Sequence, residues 1–473
     1  MMPTDVNALL DLLGVPVIRP AYARPPRMVT GISWDSREVG EGTMFLALPG
    51  EQTDGNDYIF QALAAGSPLV IATRRPSDAL LAQAAEFEAR IVYTEDAEAT
   101  LATIAGWYRE HLSATVIGVT GSTGKTTTKD LIASILSTFV VTVATKANQN
   151  NELGVPNTIL SADDHTQALV VEMGMRGSGQ LEKLCRFVRP QIAVITNIGV
   201  SHIELLGSRR NIALAKGEVI EGLPDGDGCA VLNGDDDFTP FLTERFVRPK
   251  NIRLVTYGFG PECMVRGTEL VLDEQARPSF KINFPEGDVV SVSLPLSGGH
   301  NAENALAAAA VAYAYGLGPA IVKRGLESVQ ATGMRMEVVH TSSGMTVIND
   351  AYNANPESMA AALNTLSVMG DGRKVAVLGD MGELGTSSVS MHQQMGELVA
   401  RCGIDLLVCI GKLSRNIASA ACSAGMDASR IFHFDGVDDA LALLRQQLRP
   451  GDTVLVKASH AMHLERVVEG LVD

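Results

Sequence analysis

The sequence is short of several things that would have narrowed its reading at once. Aromatic residues make up 5% of its 473 positions and charged residues 19%. Hydrophobic residues still reach 46%, so there is ample aliphatic material for cores and no compositional case for disorder. At ordinary domain sizes this length predicts about three domains. Positive charge is in deficit, 38 Lys and Arg against 54 Asp and Glu, for a formal net charge of −16, which argues against a general nucleic-acid binder. The six cysteines, at 185, 229, 263, 402, 409 and 422, form no CxxC pair and no metal-ligand spacing. They predict reduced, mostly buried thiols and a cytoplasmic location. The longest apolar stretch, 304–315, is too short to span a bilayer. The first thirty residues, with Asp5, Asp11 and prolines at 16, 20, 25 and 26, lack the make-up of a signal peptide. Neither a membrane nor a nucleic acid is expected as a partner.

What is there reads as α/β. Residues 1–112 alternate short strands (44–48, 69–72, 90–93) with helical patterns (59–65, 97–111), a small α/β domain. At 115–119 an apolar run leads into a glycine loop, and 127–139 has helical periodicity. Buried-strand candidates follow at 168–172, 192–196 and 230–232, which implies a mostly parallel sheet. Residues 253–294 have the texture of an antiparallel insert, and 302–315 with the segment to 330 closes this second domain, 113–330. The acidic run 235–237 is expected in a solvated turn. A third domain, 331–473, has strands at 346–349, 375–378, 406–410 and 453–456 with helices between them, a doubly wound, Rossmann-like pattern. The expected fold is therefore three α/β domains: a central P-loop ATPase-type, mostly parallel sheet, a small N-terminal domain and a C-terminal Rossmann-like one.

The loop is Thr120-Gly121-Ser122-Thr123-Gly124-Lys125-Thr126, followed by Thr127. Gly121 and Gly124 allow backbone conformations in which N–H groups face phosphate oxygens. Lys125 can reach the β- and γ-phosphates, the Thr126 hydroxyl can bind Mg²⁺, and the helix adds its positive N-terminal dipole. The generic pattern asks for glycine where Val119 stands, so a TGxxGKT variant remains in the strand–loop–helix context it needs.

Three further residues matter as a set. Glu172 closes the apolar run 168–171, where an acid at a strand's C-terminal end can hold Mg²⁺. His202 follows the strand at 192–196, and Lys216 lies in a helical stretch fourteen residues on. Taken singly, each has a plain alternative: a solvated strand-terminal acid, a structural histidine and a surface lysine.

These residues resemble the Mur ligase family, the ATP-dependent enzymes that assemble the peptidoglycan stem peptide. Besides the loop, the resemblance rests on Asn148-Gln149-Asn150-Asn151 before Gly154-Val155-Pro156, Val171-Glu172-Met173-Gly174, Ser201-His202-Ile203-Glu204 and Ala215-Lys216-Gly217-Glu218. It continues through Gly299-His300-Asn301-Ala302-Glu303-Asn304-Ala305 and Gly333-Met334-Arg335-Met336-Glu337, so it covers essentially the whole chain. Within the family, Asp350-Ala351-Tyr352-Asn353-Ala354-Asn355-Pro356 and Gly379-Asp380-Met381-Gly382-Glu383-Leu384-Gly385 look like the member acting at the last step. The segments Asp35-Ser36-Arg37 and 45–50 resemble that member's UDP-sugar-binding domain.

The resemblance implies joining of D-Ala-D-Ala to a UDP-N-acetylmuramoyl-tripeptide through an acyl phosphate, with ATP consumed. It implies Mg²⁺ on Thr126 and Glu172, and a second ion on Glu172, His202 and Lys216 with the lysine carbamylated. Lys125, Glu172, His202 and Lys216 are thus the expected catalytic group. Asn301 and Asn304 are implied at the adenine, Arg335 and Asp350 at phosphate and ribose. Ser36, Arg37, Asn150 and Asn151 are implied for the nucleotide-linked substrate, and Tyr352, Asn353 and Asn355 for the dipeptide. For the last two the alternative is turn-forming asparagines before Pro356. A monomer that closes its third domain onto ATP is expected. The family's C-terminal Lys-Gly-Ser-Arg is here Lys457-Ala458-Ser459-His460, and its Asp-Gly-His is Asp54-Gly55-Asn56. Rival readings are another ligase of the superfamily, such as a folylpolyglutamate synthetase, and a nucleotide-binding module without catalysis.

Overall fold

Strands buried on both faces read as unbroken aliphatic runs, because helices cover a parallel sheet on each side. The segments Thr115–Thr120, Ala168–Glu172, Ile192–Ile195 and Leu406–Ile410 are such runs and form strands in the computed structural model, which describes residues 1–15, 27–50, 53–330 and 332–472. The prolines at 16, 20, 25 and 26 lie outside the described residues. The chain divides into two compact units. One comprises Met1–Ile117, Val140–Gly174 and Glu182–Pro190; the other comprises Gly118–Phe139, Met175–Leu181 and Gln191–Asp473.

In the first unit, Gly31–Ser33, Thr43–Ala47, Leu69–Ala72 and Arg90–Tyr93 form a parallel four-stranded sheet in that order. Gly31–Ser33 is a strand the pattern did not reveal, being only three residues long. Phe45, Val70 and Ala72 pack with Ile59, Ala62 and Leu63 of the adjoining helix. Each of the larger side chains among them, Phe45, Val70, Ile59 and Leu63, stabilises the fold by about 1.5–3 kcal/mol when buried. Helix Ala97–Arg109 starts where the Asp96 carboxylate accepts the Ala99 N–H. It buries Arg109, whose guanidinium donates to the carbonyls of Leu112 and Val188. Ala168–Glu172 pairs in parallel with Thr142–Ala144.

In the second unit, Ile192–Ile195, Cys229–Asn233, Arg253–Gly258 and Val265–Leu272 pair in parallel. Pro278–Asn283 and Val289–Ser293 then add antiparallel. The antiparallel insert is therefore shorter than 253–294, since Arg253–Gly258 extends the parallel run. Helix Lys125–Ser137 begins two residues earlier than its apolar periodicity, directly at the glycine loop. It is crossed closely by helix Pro319–Glu327: a Cβ on Gly325 would stand 2.3 Å from the Ile135 Cα, so only glycine fits. The acidic run 235–237 does lie in a turn, yet it also organises backbone. Asp235 accepts the N–H groups of Phe259 and Gly260, and Asp236 that of Ile198.

The same unit carries a six-stranded sheet in the order Glu337–His340, Thr346–Asn349, Thr453–Lys457, Lys374–Gly379, Leu406–Ile410, Ile431–Phe434. All pairs are parallel except the first. The two outer strands escaped the sequence reading because their residues are only partly buried. Helices Pro356–Val368 and Ser388–Arg401 cover one face, Val437–Gln447 and Glu465–Val472 the other. Asp350, Asp380 and Lys457 consequently gather at the C-terminal ends of the strands, where open α/β sheets bind ligands.

Candidate active site

The glycine loop is shaped by contacts that admit no side chain. Gly124 has φ +76°, and a Cβ there would meet the Asn304 Oδ1 at 2.3 Å; on Gly121 it would meet the Thr196 Oγ1 at 1.7 Å. The Lys125 ammonium folds back to donate to the Gly121 carbonyl at 3.0 Å. Not every loop N–H faces outward, however. Ser122 donates to the Asn197 carbonyl and Thr123 to the Asn197 Oδ1, at 3.1 and 3.0 Å. The Ser122 and Thr123 N–H groups are therefore committed within the fold, just ahead of helix Lys125–Ser137. Thr126 is buried there, and Thr120 carries a buried hydroxyl with no partner among the described residues.

Asn301 and Asn304 stand on helix His300–Tyr315 and are both buried. Asn304 donates to the Asn301 Oδ1 at 2.9 Å and accepts from the Thr128 hydroxyl at 3.3 Å, while Asn301 donates to the Ser297 carbonyl. The pair expected at the adenine thus braces the phosphate loop.

Lys216 is not a surface lysine. It is 1% exposed on helix Arg209–Glu221, and burial together with the like charge of Lys125 pushes its pKa well below the usual lysine value. His202 has φ +64°, and its Nδ1 is hydrogen-bonded to the Glu383 carboxylate. Burial lowers the imidazole's pKa; Glu383 opposes that shift, while Lys216 and Lys125 add to it. Asn355 donates to the Ser201 hydroxyl at 2.6 Å, and Glu357 accepts the Val200 N–H at 2.9 Å. The loop carrying His202 is held on its other side by Ser122, whose hydroxyl accepts the Gly199 N–H at 2.9 Å and whose carbonyl accepts from Ser201.

In the first unit, Glu172 is 1% exposed, which excludes the solvated-acid alternative. Its carboxylate accepts from the Asn150 amide at 2.7 Å, and its N–H is donated to Thr145. The Asn151 Oδ1 accepts the Gly154 N–H at 2.9 Å, at the start of helix Gly154–Leu160. Ser36 is half-buried, and Arg37, largely exposed, forms an ion pair with Asp35 at 2.6 Å. Hydrogen bonding by Arg37 holds the Asp35 carboxyl down to about 2. Asn56, the departure in this region, is a strut: its amide carbonyl accepts the N–H groups of Thr73 and Arg74.

Near the C-terminal sheet, the Arg335 guanidinium lies 4.3 Å from the Tyr352 ring centroid, and its buried Nε has no partner among the described residues. Asp350 is already engaged, by the Lys457 ammonium at 2.5 Å and the Met336 N–H at 3.1 Å. Its expected ribose contact therefore competes with a buried ion pair. Asn355 caps helix Pro356–Val368 in a reciprocal capping box with Ser358, and the Asn353 Oδ1 accepts the Ala354 N–H. The local, chain-turning alternative thus holds for Asn355. His460, the other departure, sits edge-on to Tyr352 with centroids 5.6 Å apart. Sequence reasoning missed Asn197, Glu357, Glu383 and Lys457 as hydrogen-bond partners of the candidate segments. Two of them lay inside quoted motifs, but nothing in their spacing pointed across the fold.

Among the described residues, no group of three or more His, Cys, Asp or Glu side chains is arranged to hold a metal ion, and no helix is long and apolar enough to cross a membrane. Three family models match in order: Mur ligase family, catalytic domain, over 28–109; Mur ligase middle domain over 119–312; and Mur ligase, glutamate ligase domain, over 334–460. A UDP-N-acetylmuramoyl-tripeptide–D-alanyl-D-alanine ligase of Bacillus subtilis is 35% identical, over 100% of this chain and 99% of its own. The crystal structure of MurF from Acinetobacter baumannii is similar with a TM-score of 0.84 and 32% identity, covering 100% of this chain and 99% of that one. MurF of Thermotoga maritima, solved with ADP, has a TM-score of 0.78 and 28% identity, covering 93% and 97%. The chain is an ATP-dependent ligase and belongs to the Mur ligase family.

Proposed function

We propose that this ligase joins D-Ala-D-Ala to UDP-N-acetylmuramoyl-tripeptide in cytoplasmic peptidoglycan precursor synthesis, acting as a monomer. A carboxylate does not acylate amines unaided, so its oxygen attacks the γ-phosphorus of ATP, the bond to ADP breaks, and an acyl phosphate forms. The dipeptide amine then attacks the acyl carbon, phosphate leaves with the former carboxylate oxygen, and the new amide nitrogen loses a proton. Catalysis of this kind is positioning and charge neutralisation. The observation that carries the reading is the phosphate loop tied, through Ser122 and Ser201, to the Asn355 amide, which joins an ATP-type loop to the segment assigned here to the dipeptide.

Residues 1–112 bind the UDP-sugar, with Ser36 and Arg37 as contacts. Residues 113–330 bind ATP through Thr120–Thr127, with Asn301 and Asn304 towards the adenine and Asn150 and Asn151 towards the tripeptide. Residues 331–473 bring Arg335 and Asp350 to the nucleotide and Tyr352, Asn353 and Asn355 to the dipeptide. The buried, unpartnered Nε of Arg335 supports that assignment, since a phosphate oxygen is the acceptor it lacks. Lys125 neutralises the γ-phosphate during transfer.

The donor set suits two Mg²⁺ ions on one condition. The Thr126 hydroxyl and the Glu172 carboxylate are hard oxygen donors, whereas the ammonium of Lys216 repels a cation. Burial beside Lys125 favours the neutral amine, the form that adds to CO₂, and a carbamate on Lys216 would present oxygen beside His202. Bound Mg²⁺ would supply positive charge to the phosphate oxygens in flight. A substrate panel tests the reading: ADP release with UDP-tripeptide plus D-Ala-D-Ala, a product of the joined mass, and none from folate plus glutamate. Release only with the second pair would replace it by the folylpolyglutamate-type alternative.

A further inference from the structure

His202 and Glu383 are far apart in sequence, and each is held in a conformation that L-residues seldom adopt. Both have φ in the left-handed region, +64° and +60°. Such outliers persist where surrounding contacts impose them. On the Glu383 side the contacts are explicit. The Met381 N–H is donated to the Nε2 of fully buried His392, the Gly382 N–H to the Ser459 hydroxyl, and a Cβ on Gly385 would stand 3.2 Å from Glu204. On the His202 side, Ser122, Asn355 and Glu357 fix the preceding residues. The Glu204 N–H also reaches the Glu383 carbonyl at 3.4 Å.

A carboxylate only accepts hydrogen bonds, so its partner ring nitrogen must carry the proton. With Glu383 on Nδ1, the neutral imidazole of His202 keeps its lone pair on Nε2. We infer that Glu383 is a positioning residue: it fixes the tautomer and ring orientation of His202, and it does so only when the segment 379–385 is docked on the loop 199–204. The inference rests on the proposed role of His202 as a Mg²⁺ ligand, to which a lone pair on Nε2 is the requirement. It makes the ligand's chemistry conditional on docking of the C-terminal sheet's loop, since the proton acceptor arrives with that loop. The other Glu383 oxygen lies 3.5 Å from the Nε of the largely exposed Arg176.

The test uses the full chain with ¹⁵N-labelled histidine. Ring-nitrogen NMR on the metal-free protein should find His202 in the Nδ1–H form, and Glu383→Ala should move it to the Nε2–H form or a mixture. Glu383→Gln, whose carbonyl still accepts, should retain the wild-type tautomer and guards against a folding defect in the alanine variant. Second, the Mg²⁺ concentration for half-maximal ADP release should rise about 10- to 100-fold in Glu383→Ala, with the KM for ATP little changed and partial recovery in Glu383→Gln. An unchanged tautomer in Glu383→Ala overturns the inference. A shifted tautomer with unchanged Mg²⁺ dependence in both Glu383→Ala and His202→Ala upholds the positioning and overturns instead the reading of His202 as a ligand.

Discussion

Lys216 and Lys457 are both almost fully enclosed, at 1% and 2% exposure, and their surroundings differ in sign. Lys457 meets the Asp350 carboxylate at 2.5 Å and also donates to the Asn353 carbonyl, an ion pair with its hydrogen bonds supplied. Lys216 lies in the field of another cation, Lys125, and burial adds to the pressure on its charged form. The first arrangement is how a fold tolerates a buried charge. The second disfavours the charge the residue ordinarily carries, a perturbation of the kind that clusters at functional sites. Burial alone does not distinguish the two lysines; the sign of the neighbouring charge does.

The contrast can be broken by one exchange at each site. Lys216→Met should lower the rate of ADP release on the order of 10²–10³-fold while leaving denaturant stability equal or higher, because methionine fills the space without charge. Lys457→Met should do the reverse in stability, losing about 3 kcal/mol in urea unfolding, since Asp350 is left buried without its partner. Equal stability losses in the two variants would erase the distinction.

A smaller effect sharpens it at His392, which supports the Glu383 loop from beneath. Burial lowers its pKa, and its Nε2 accepts the Met381 N–H at 3.0 Å while Nδ1 donates to the Ser388 carbonyl. The folded chain therefore resists the proton that an unfolded histidine takes up below pH about 6.5. Stability should fall as pH drops through that value towards the lowered one, by at most about 1.4 kcal/mol per pH unit. His392→Gln should flatten that slope in urea titrations at stepped pH. The smallest change is expected at the exposed Asp35–Arg37 pair. Arg37→Ala should leave stability nearly unchanged, because the pair is solvent-screened, yet weaken UDP-sugar binding measured by calorimetry.

How much of this could be read from residue order follows the same physics. The glycine loop, the buried parallel strands and Glu172 were legible because each is a local pattern: φ-permissive glycines, aliphatic runs, an acid at a strand end. The strand Gly31–Ser33 and the outer strands Glu337–His340 and Ile431–Phe434 were not, being short or half-buried and so without a clean period. Lys216 looked like a surface residue because helical spacing gives no sign of what packs over a lysine. Glu383, Glu357 and Asn197 act across 74 to 181 residues of sequence, and no spacing rule connects residues that only the fold brings together. Asn301, Asn304 and Asn355 were singled out by resemblance, but their bracing and capping hydrogen bonds came only from the structure.

The central claim is that the tripeptide carboxylate becomes an acyl phosphate on the way to the amide. The most direct measurement is ligation of UDP-N-acetylmuramoyl-tripeptide carrying ¹⁸O in its terminal carboxylate, with mass analysis of the phosphate released. One ¹⁸O atom in each phosphate is the predicted result; phosphate free of ¹⁸O, with amide still formed, would contradict the account.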